Sequence, residues 1–228
     1  MIVVPVEDKA VKSLEVAPLF TKEELKIMKD RYYADDDDDD PDEPHYIDKK
    51  PIIYLYPEAE TEVSVKLGNP ELLTVSYPKY SSGWTVTARP DGTLIDLNTN
   101  RELYALYYEA DSIEKPVLTE GFVVKGEDSA KFLEEKLAIL GLNAREAEEF
   151  IVYWLPELEK NNYNLIRFET AEEIAKNMPL SVYPTPDTTI RVMMDYKPLD
   201  KAVEIKEQTL ETPTRTGFTV VEWGGSQL

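Results

Sequence analysis

Apolar positions change their period along the chain. In "LFTKEELKIMKDRYYA", Leu25, Met28 and Tyr32 recur at helical spacing. Thr21 followed by Glu24 forms a capping-box pattern, and Phe20 with Leu25 fits a hydrophobic staple around it. These signals predict a short amphipathic helix over about residues 22–33. Its apolar stripe requires a surface, either on the rest of the chain or on a second copy.

From Pro51 the period becomes two. Ile52, Ile53, Tyr54, Leu55 and Tyr56 form a continuous apolar run between Pro51 and Pro57, as in a strand buried on both faces. Val63, Val65 and Leu67 then alternate with Glu62, Ser64 and Lys66, as in a half-exposed strand. "LLTVSY", "WTVTAR", "LIDLN" and "RELYALYYEA" continue the pattern, with turns at Pro90-Asp91-Gly92 and Asn98-Thr99-Asn100.

After the strand "VLTEGFVVKG" the period lengthens again. Phe132, Leu133, Leu137 and Leu140 form a helical stripe that Gly141 is placed to cap. Asn143 with Glu146 opens a second helix, which Pro156 is expected to kink or end. Thr170 with Glu173 opens a third, "TAEEIAKN". "PLSVYP", "TTIRVMMDY" and "TGFTVVEWGG" return to strands. The predicted fold is α+β and mainly β. It is an antiparallel β-sandwich-like domain over residues 49–228 with a helical insertion at about 127–177. Residues 1–34 form an N-terminal arm, and residues 35–48 an acidic linker.

Charge narrows the partners. Lys+Arg 25 against Asp+Glu 45 leaves a net charge of −20 over 228 residues. Such a surface repels phosphate backbones and anionic membranes, so nucleic acid is not an expected partner. Residues 35–43, "DDDDDDPDE", place eight carboxylates in nine positions. Mutual repulsion and the prolines predict an extended, solvated spacer. An EF-hand alternates its ligands and turns on glycine, and this run does neither, so no dedicated metal site is expected.

Residue types that are missing narrow the chemistry. Cysteine is absent, which removes disulfides, thiolate nucleophiles and cysteine zinc sites. The one histidine, His45, sits in the acidic stretch, where a catalytic geometry is hard to hold. Neither GxGxxG nor GxxxxGK[ST] occurs, and the final "WGG" reads as a chain end rather than a phosphate cradle. No cofactor is expected. The N-terminus lacks a basic n-region and a long apolar core, and no segment reaches the roughly 20 apolar residues of a membrane span. Two compartments stay open: exported if a signal was trimmed, cytoplasmic otherwise.

Two constellations remain. Asp96, Glu102, Glu109 and Asp111 lie near Tyr104, Tyr107 and Tyr108, and paired carboxylates hydrolyse glycosides without cysteine or histidine. Aromatic residues on a β scaffold also make platforms for sugars or proteins. The candidate ligand-binding residues are Trp84, Tyr107, Glu109 and Trp154. The competing reading puts these rings in the core, with "LYALYYE" as a central strand covered on both faces.

Several blocks together resemble a family of uncharacterised bacterial proteins. They are "KPIIYLYPEAETEVSVKL", "GWTVTARPDGTLIDL", "YALYYEA", "GFVVKGEDSAKFL", "FIVYWLPELEKNNYNLIRF" and "GFTVVEWGG", spread over most of residues 50–225. The resemblance implies no established activity, and it implies members that are often exported. The expected function is a non-catalytic binding or interaction module for a glycan or a protein. The alternatives are a carboxylate-dependent hydrolase acting on glycans and a structural component of an envelope assembly. A homo-oligomer through the N-terminal helix is a further expectation.

Overall fold

The structure, a computed structural model, describes residues 47–112 and 118–228. The helix expected at 22–33, the oligomer contact expected of it, the aspartate run and His45 lie outside the described residues. The strands of the first half are β1 (Ile47–Tyr56), β2 (Thr61–Leu67), β3 (Leu73–Tyr77), β4 (Trp84–Ala88), β5 (Leu94–Asp96), β6 (Glu102–Leu103) and β7 (Leu106–Asp111). There follow β8 (Glu120–Lys125), α1 (Ser129–Ile139), α2 (Ala144–Leu158), β9 (Tyr163–Phe168) and α3 (Ala171–Asn177). The chain continues with β10 (Leu180–Tyr183), β11 (Thr188–Leu199), β12 (Lys206–Glu207) and β13 (Thr219–Gln227).

The strands form two sheets. The large one has eight strands in the order β12-β8-β9-β11-β13-β1-β7-β3, and the small one five in the order β10-β2-β4-β5-β6. Most pairs are antiparallel; β11 with β13 and β12 with β8 are parallel. The fold is thus α+β, mainly β and sandwich-like.

β1 shows why two layers stack on the large sheet. Side chains alternate along a strand. Ile52 and Tyr54 join Trp223, Ile166 and Met194 in a core against the helices, where Leu133, Leu137, Phe150, Trp154 and Leu158 meet them. Ile53 and Leu55 join Leu106, Tyr108 and Val220 in a second core, against Val63, Val65, Trp84 and Val86 of the small sheet. The continuous apolar run of β1 therefore serves two interiors. Fully burying a side chain of this size contributes about 1.5–3 kcal/mol.

Local signals take the expected form at the helix ends. Asn143 and Glu146 close a capping box on α2, as do Thr170 and Glu173 on α3. Gly141 has φ +86°, the left-handed conformation of a helix stop. Pro156 lies inside α2, which ends two residues later at Leu158.

Two expectations are corrected. The stretch at about 127–177 is not wholly helical, because β9 lies within it and pairs with both β8 and β11. All but the first position of β9 are buried, so its residues show no alternation to betray a strand. The "WGG" glycines lie inside β13 rather than after a strand. A Cβ on Gly224 would stand 3.0 Å from the Pro51 nitrogen, and one on Gly225 would stand 3.1 Å from Trp154 Cζ2 and collide with the Met194 carbonyl. The pair lets β1 and α2 approach β13 closely.

Candidate functional site

The candidate site begins at an irregularity in β1. Its register against β13 shifts between Lys49 and Ile52, and against β7 between Asp48 and Ile52. Pro51 has no N–H to give to a ladder, so it belongs at such a bulge. Lys50 adopts φ +63°, which is uncommon for a residue with a side chain and more so before proline. The bulge aims the Lys50 ammonium over two rings, 5.7 Å from the centroid of Tyr107 and 5.1 Å from that of Tyr153.

α2 supplies the wall opposite. Glu146, Phe150, Trp154 and Leu158 form its buried stripe. One position round the helix, Arg145, Glu148, Glu149 and Val152 form a second stripe at the same helical spacing. This stripe, Lys50, Tyr104 and Tyr153 line a cleft of about 510 Å³ with Trp223 at its base. Tyr104 is 48% exposed and Val152 70%.

Hydrogen bonds link the base of the cleft to its α2 wall. Trp223 Nε1 donates to Tyr54 Oη at 3.2 Å, and Tyr54 Oη donates to Glu149 Oε2 at 2.7 Å. Arg145 Nε donates to the other oxygen, Glu149 Oε1, at 3.1 Å. The Arg145 guanidinium also lies 5.1 Å from the Tyr104 ring centroid. Burial, then the Glu149 hydrogen bond, pushes the Tyr54 phenol well above its ordinary range. Burial, followed by the Glu109 hydrogen bond and charge, does the same for Tyr107. Burial and the charge of Glu149 raise Tyr104, and burial with Glu109 and Glu157 raises Tyr153. At neutral pH the phenols are uncharged donors beside fixed charges.

Of the four sequence candidates, the structure brings two together. Tyr107 and Glu109 are both half-buried on the helix-side face of β7, with the Lys50 ammonium over the Tyr107 ring and Glu109 hydrogen-bonded to the Tyr107 hydroxyl. Trp84 and Trp154 are corrected as ligand contacts, since they are 2% and 1% exposed. Trp84 packs in the core between the sheets, and its Nε1 donates to the Pro78 carbonyl at 2.8 Å. Trp154 packs under α2 against Phe150 and Tyr196. β7 itself is covered on one face only: Leu106, Tyr108 and Ala110 are buried, while Tyr107 and Glu109 alternate with them half-exposed. β7 lies next to the edge strand, β3, at one end of the large sheet.

The carboxylate constellation comes apart. Asp96 and Glu102 belong to the small sheet, Glu109 and Asp111 to the large one. Asp96 is buried and accepts from the Asn98 N–H at 3.2 Å, which makes it a turn residue. Among the described residues no three histidine, aspartate or glutamate side chains converge as a metal-ligand group. Other buried charges are sealed. Glu222 accepts from Tyr108 Oη at 2.8 Å and pairs with Arg191, while Glu146 pairs with Arg215.

Lys50, Arg145, Glu149 and Tyr153 are absent from the sequence-based candidates. The polar stripe beside the apolar one on α2 was a readable signal for two of them. Nothing local signals Lys50, whose direction depends on a bulge. Compared with family models, with curated proteins and with solved structures, the chain matches none. Among the described residues no helix is long and apolar enough to cross a membrane.

Proposed function

We propose that the domain is a non-catalytic binding module that holds a carbohydrate in the cleft between α2 and β1. One observation carries this reading: two accessible tyrosine rings, Tyr104 and Tyr153, share a cleft with a guanidinium, an ammonium and carboxylates. Apolar faces of sugar rings stack on aromatic faces, and their hydroxyls pair with such planar polar groups. Glu149 supports binding over hydrolysis, because both of its oxygens are already engaged, by Tyr54 and by Arg145. A glycosidase needs one carboxyl that delivers a proton and a second that acts as base or nucleophile. One of the blocks that carry the bacterial-family resemblance starts at Lys50, which lines the cleft, and contains Tyr54, which bonds Glu149.

Calorimetry against a panel of neutral and charged oligosaccharides tests the proposal. Saturable binding is expected for at least one, with Tyr104→Ala weakening it about tenfold, which corresponds to about 1.4 kcal/mol. Absence of binding across the panel, or binding that Tyr104→Ala and Tyr153→Ala leave unchanged, overturns it. Release of reducing ends on incubation would favour the hydrolase instead.

A further inference from the structure

We propose that the outer edge of β8 accepts an extended, basic peptide segment of a protein partner as an added strand. This edge lies at the opposite end of the large sheet from the cleft, and the inference does not depend on the carbohydrate reading. β8 pairs with β9 from Phe122 to Lys125 on one side. On its other side β12 pairs only at Glu120 and Gly121. Beyond Gly121 no strand among the described residues occupies that edge.

The ladder fixes which backbone groups point outward. The Gly126 N–H donates to the Asn162 carbonyl at 3.2 Å, and Val124 stands opposite Asn164 in the same register. Antiparallel pairs alternate between bonded and non-bonded positions. Phe122, Val124 and Gly126 therefore turn their backbone groups toward β9, and Val123 and Lys125 turn theirs away. The Lys125 carbonyl accepts from Ser129 Oγ at 3.3 Å. That leaves the N–H and C=O of Val123 and the N–H of Lys125 as the groups an incoming strand meets. An unpaired edge of this kind is the element that strand addition uses.

The surroundings select the partner. A groove of about 630 Å³ runs along the edge, walled by α1 on one side and by the segment leading into β12 on the other. Its apolar lining includes Val203, Ile205 and the Phe122 and Phe132 pair, with ring centroids 5.2 Å apart. The Lys136 ammonium covers that pair, 4.5 Å from the Phe122 centroid. Glu135, Glu204 and Glu207 outnumber it among the charged groups lining the groove. In a chain of net charge −20 this favours a segment in which lysine or arginine alternates with apolar residues.

The test is fluorescence anisotropy of the full chain with a short labelled peptide of alternating lysine and valine. Saturable binding is expected, and it should fall at least about tenfold when alternate peptide nitrogens are methylated, because methylation removes strand donors without changing charge. Glu135→Lys combined with Glu204→Lys should weaken binding about tenfold, and hydrogen exchange at Val123 and Lys125 should slow with peptide bound. No binding, equal binding of the methylated peptide, or protection elsewhere than β8 each overturns the proposal.

Discussion

The helix-side face of the large sheet is aromatic at both its covered and its open end, and the two ends are built differently. Under α2, Phe150, Trp154 and Trp223 pack ring against ring, with Phe150 and Trp223 centroids 5.3 Å apart, and all three are essentially inaccessible. At the open end, beside the outer flank of α2, the rings are tyrosines: Tyr104 is exposed, while Tyr107 and Tyr153 are half-buried. A tyrosine can keep its ring on an apolar surface and its hydroxyl in water. The open end is furnished with such residues, the covered end with rings that lose little on losing water. Aromatic content alone does not mark a binding surface; coverage by α2 decides.

The comparison breaks most visibly at Trp154. Trp154→Ala is expected to cost about 3–5 kcal/mol in urea unfolding, as the transfer term and the cavity add. A loss under about 1 kcal/mol would place Trp154 with the open end. Next comes the reverse face of the same strands, where cover meets a charge. Burial pushes the Asp195 carboxyl up to about 6, opposed by the Ser226 hydrogen bond and the Arg167 charge, with Glu173 nearby. The unfolded chain releases that proton near 3.9. Between about pH 4 and 6 the folded state therefore holds more proton than the unfolded one. Stability contributed by this group falls as pH rises through that window and levels off above it. Asp195→Asn should flatten the fall, by on the order of 1–3 kcal/mol between the two ends. A pH-independent difference between the proteins would contradict the shift.

Glu149 stands on the boundary between the two ends. Glu149→Gln keeps an acceptor for Tyr54 but weakens the charged bond from Arg145, at an expected cost of about 1 kcal/mol. Tyr104→Ala lies fully in the open end and should change stability by less than about 0.5 kcal/mol while lowering ligand affinity. If it destabilises as much as Glu149→Gln, Tyr104 is a packing residue and the cleft loses its platform.

Much of this was legible in local patterns. The caps at Asn143 and Thr170 and the stop at Gly141 depend on residues a few positions apart, and they form as expected. The burial of Trp84 was readable too, since the "WTVTA" alternation puts it on one face with Val86 and Ala88. Trp154 likewise follows Glu146 and Phe150 at intervals of four. What escaped depends on distant partners. β9 lacks alternation because β8 and β11 flank it and both of its faces are covered. Lys50 points into the cleft because strands from opposite ends of the chain meet at a bulge. Glu146 looks like a cap alone, yet Arg215 from far along the chain completes its pairing.

The β1–β13 pairing has a kinetic consequence. Trp223 and Tyr54, bonded across it, are 169 positions apart in the sequence. Contacts this distant slow folding, because loop closure precedes the reward of pairing. A chain made from its N-terminus exposes the apolar run Ile52–Tyr56 long before β13 exists to cover its flank. An unpaired strand of that composition seeks other copies of itself. Charged residues flanking such a segment act as gatekeepers against that association. Asp35 to Asp40 stand shortly upstream of it, where their repulsion opposes self-association of nascent chains.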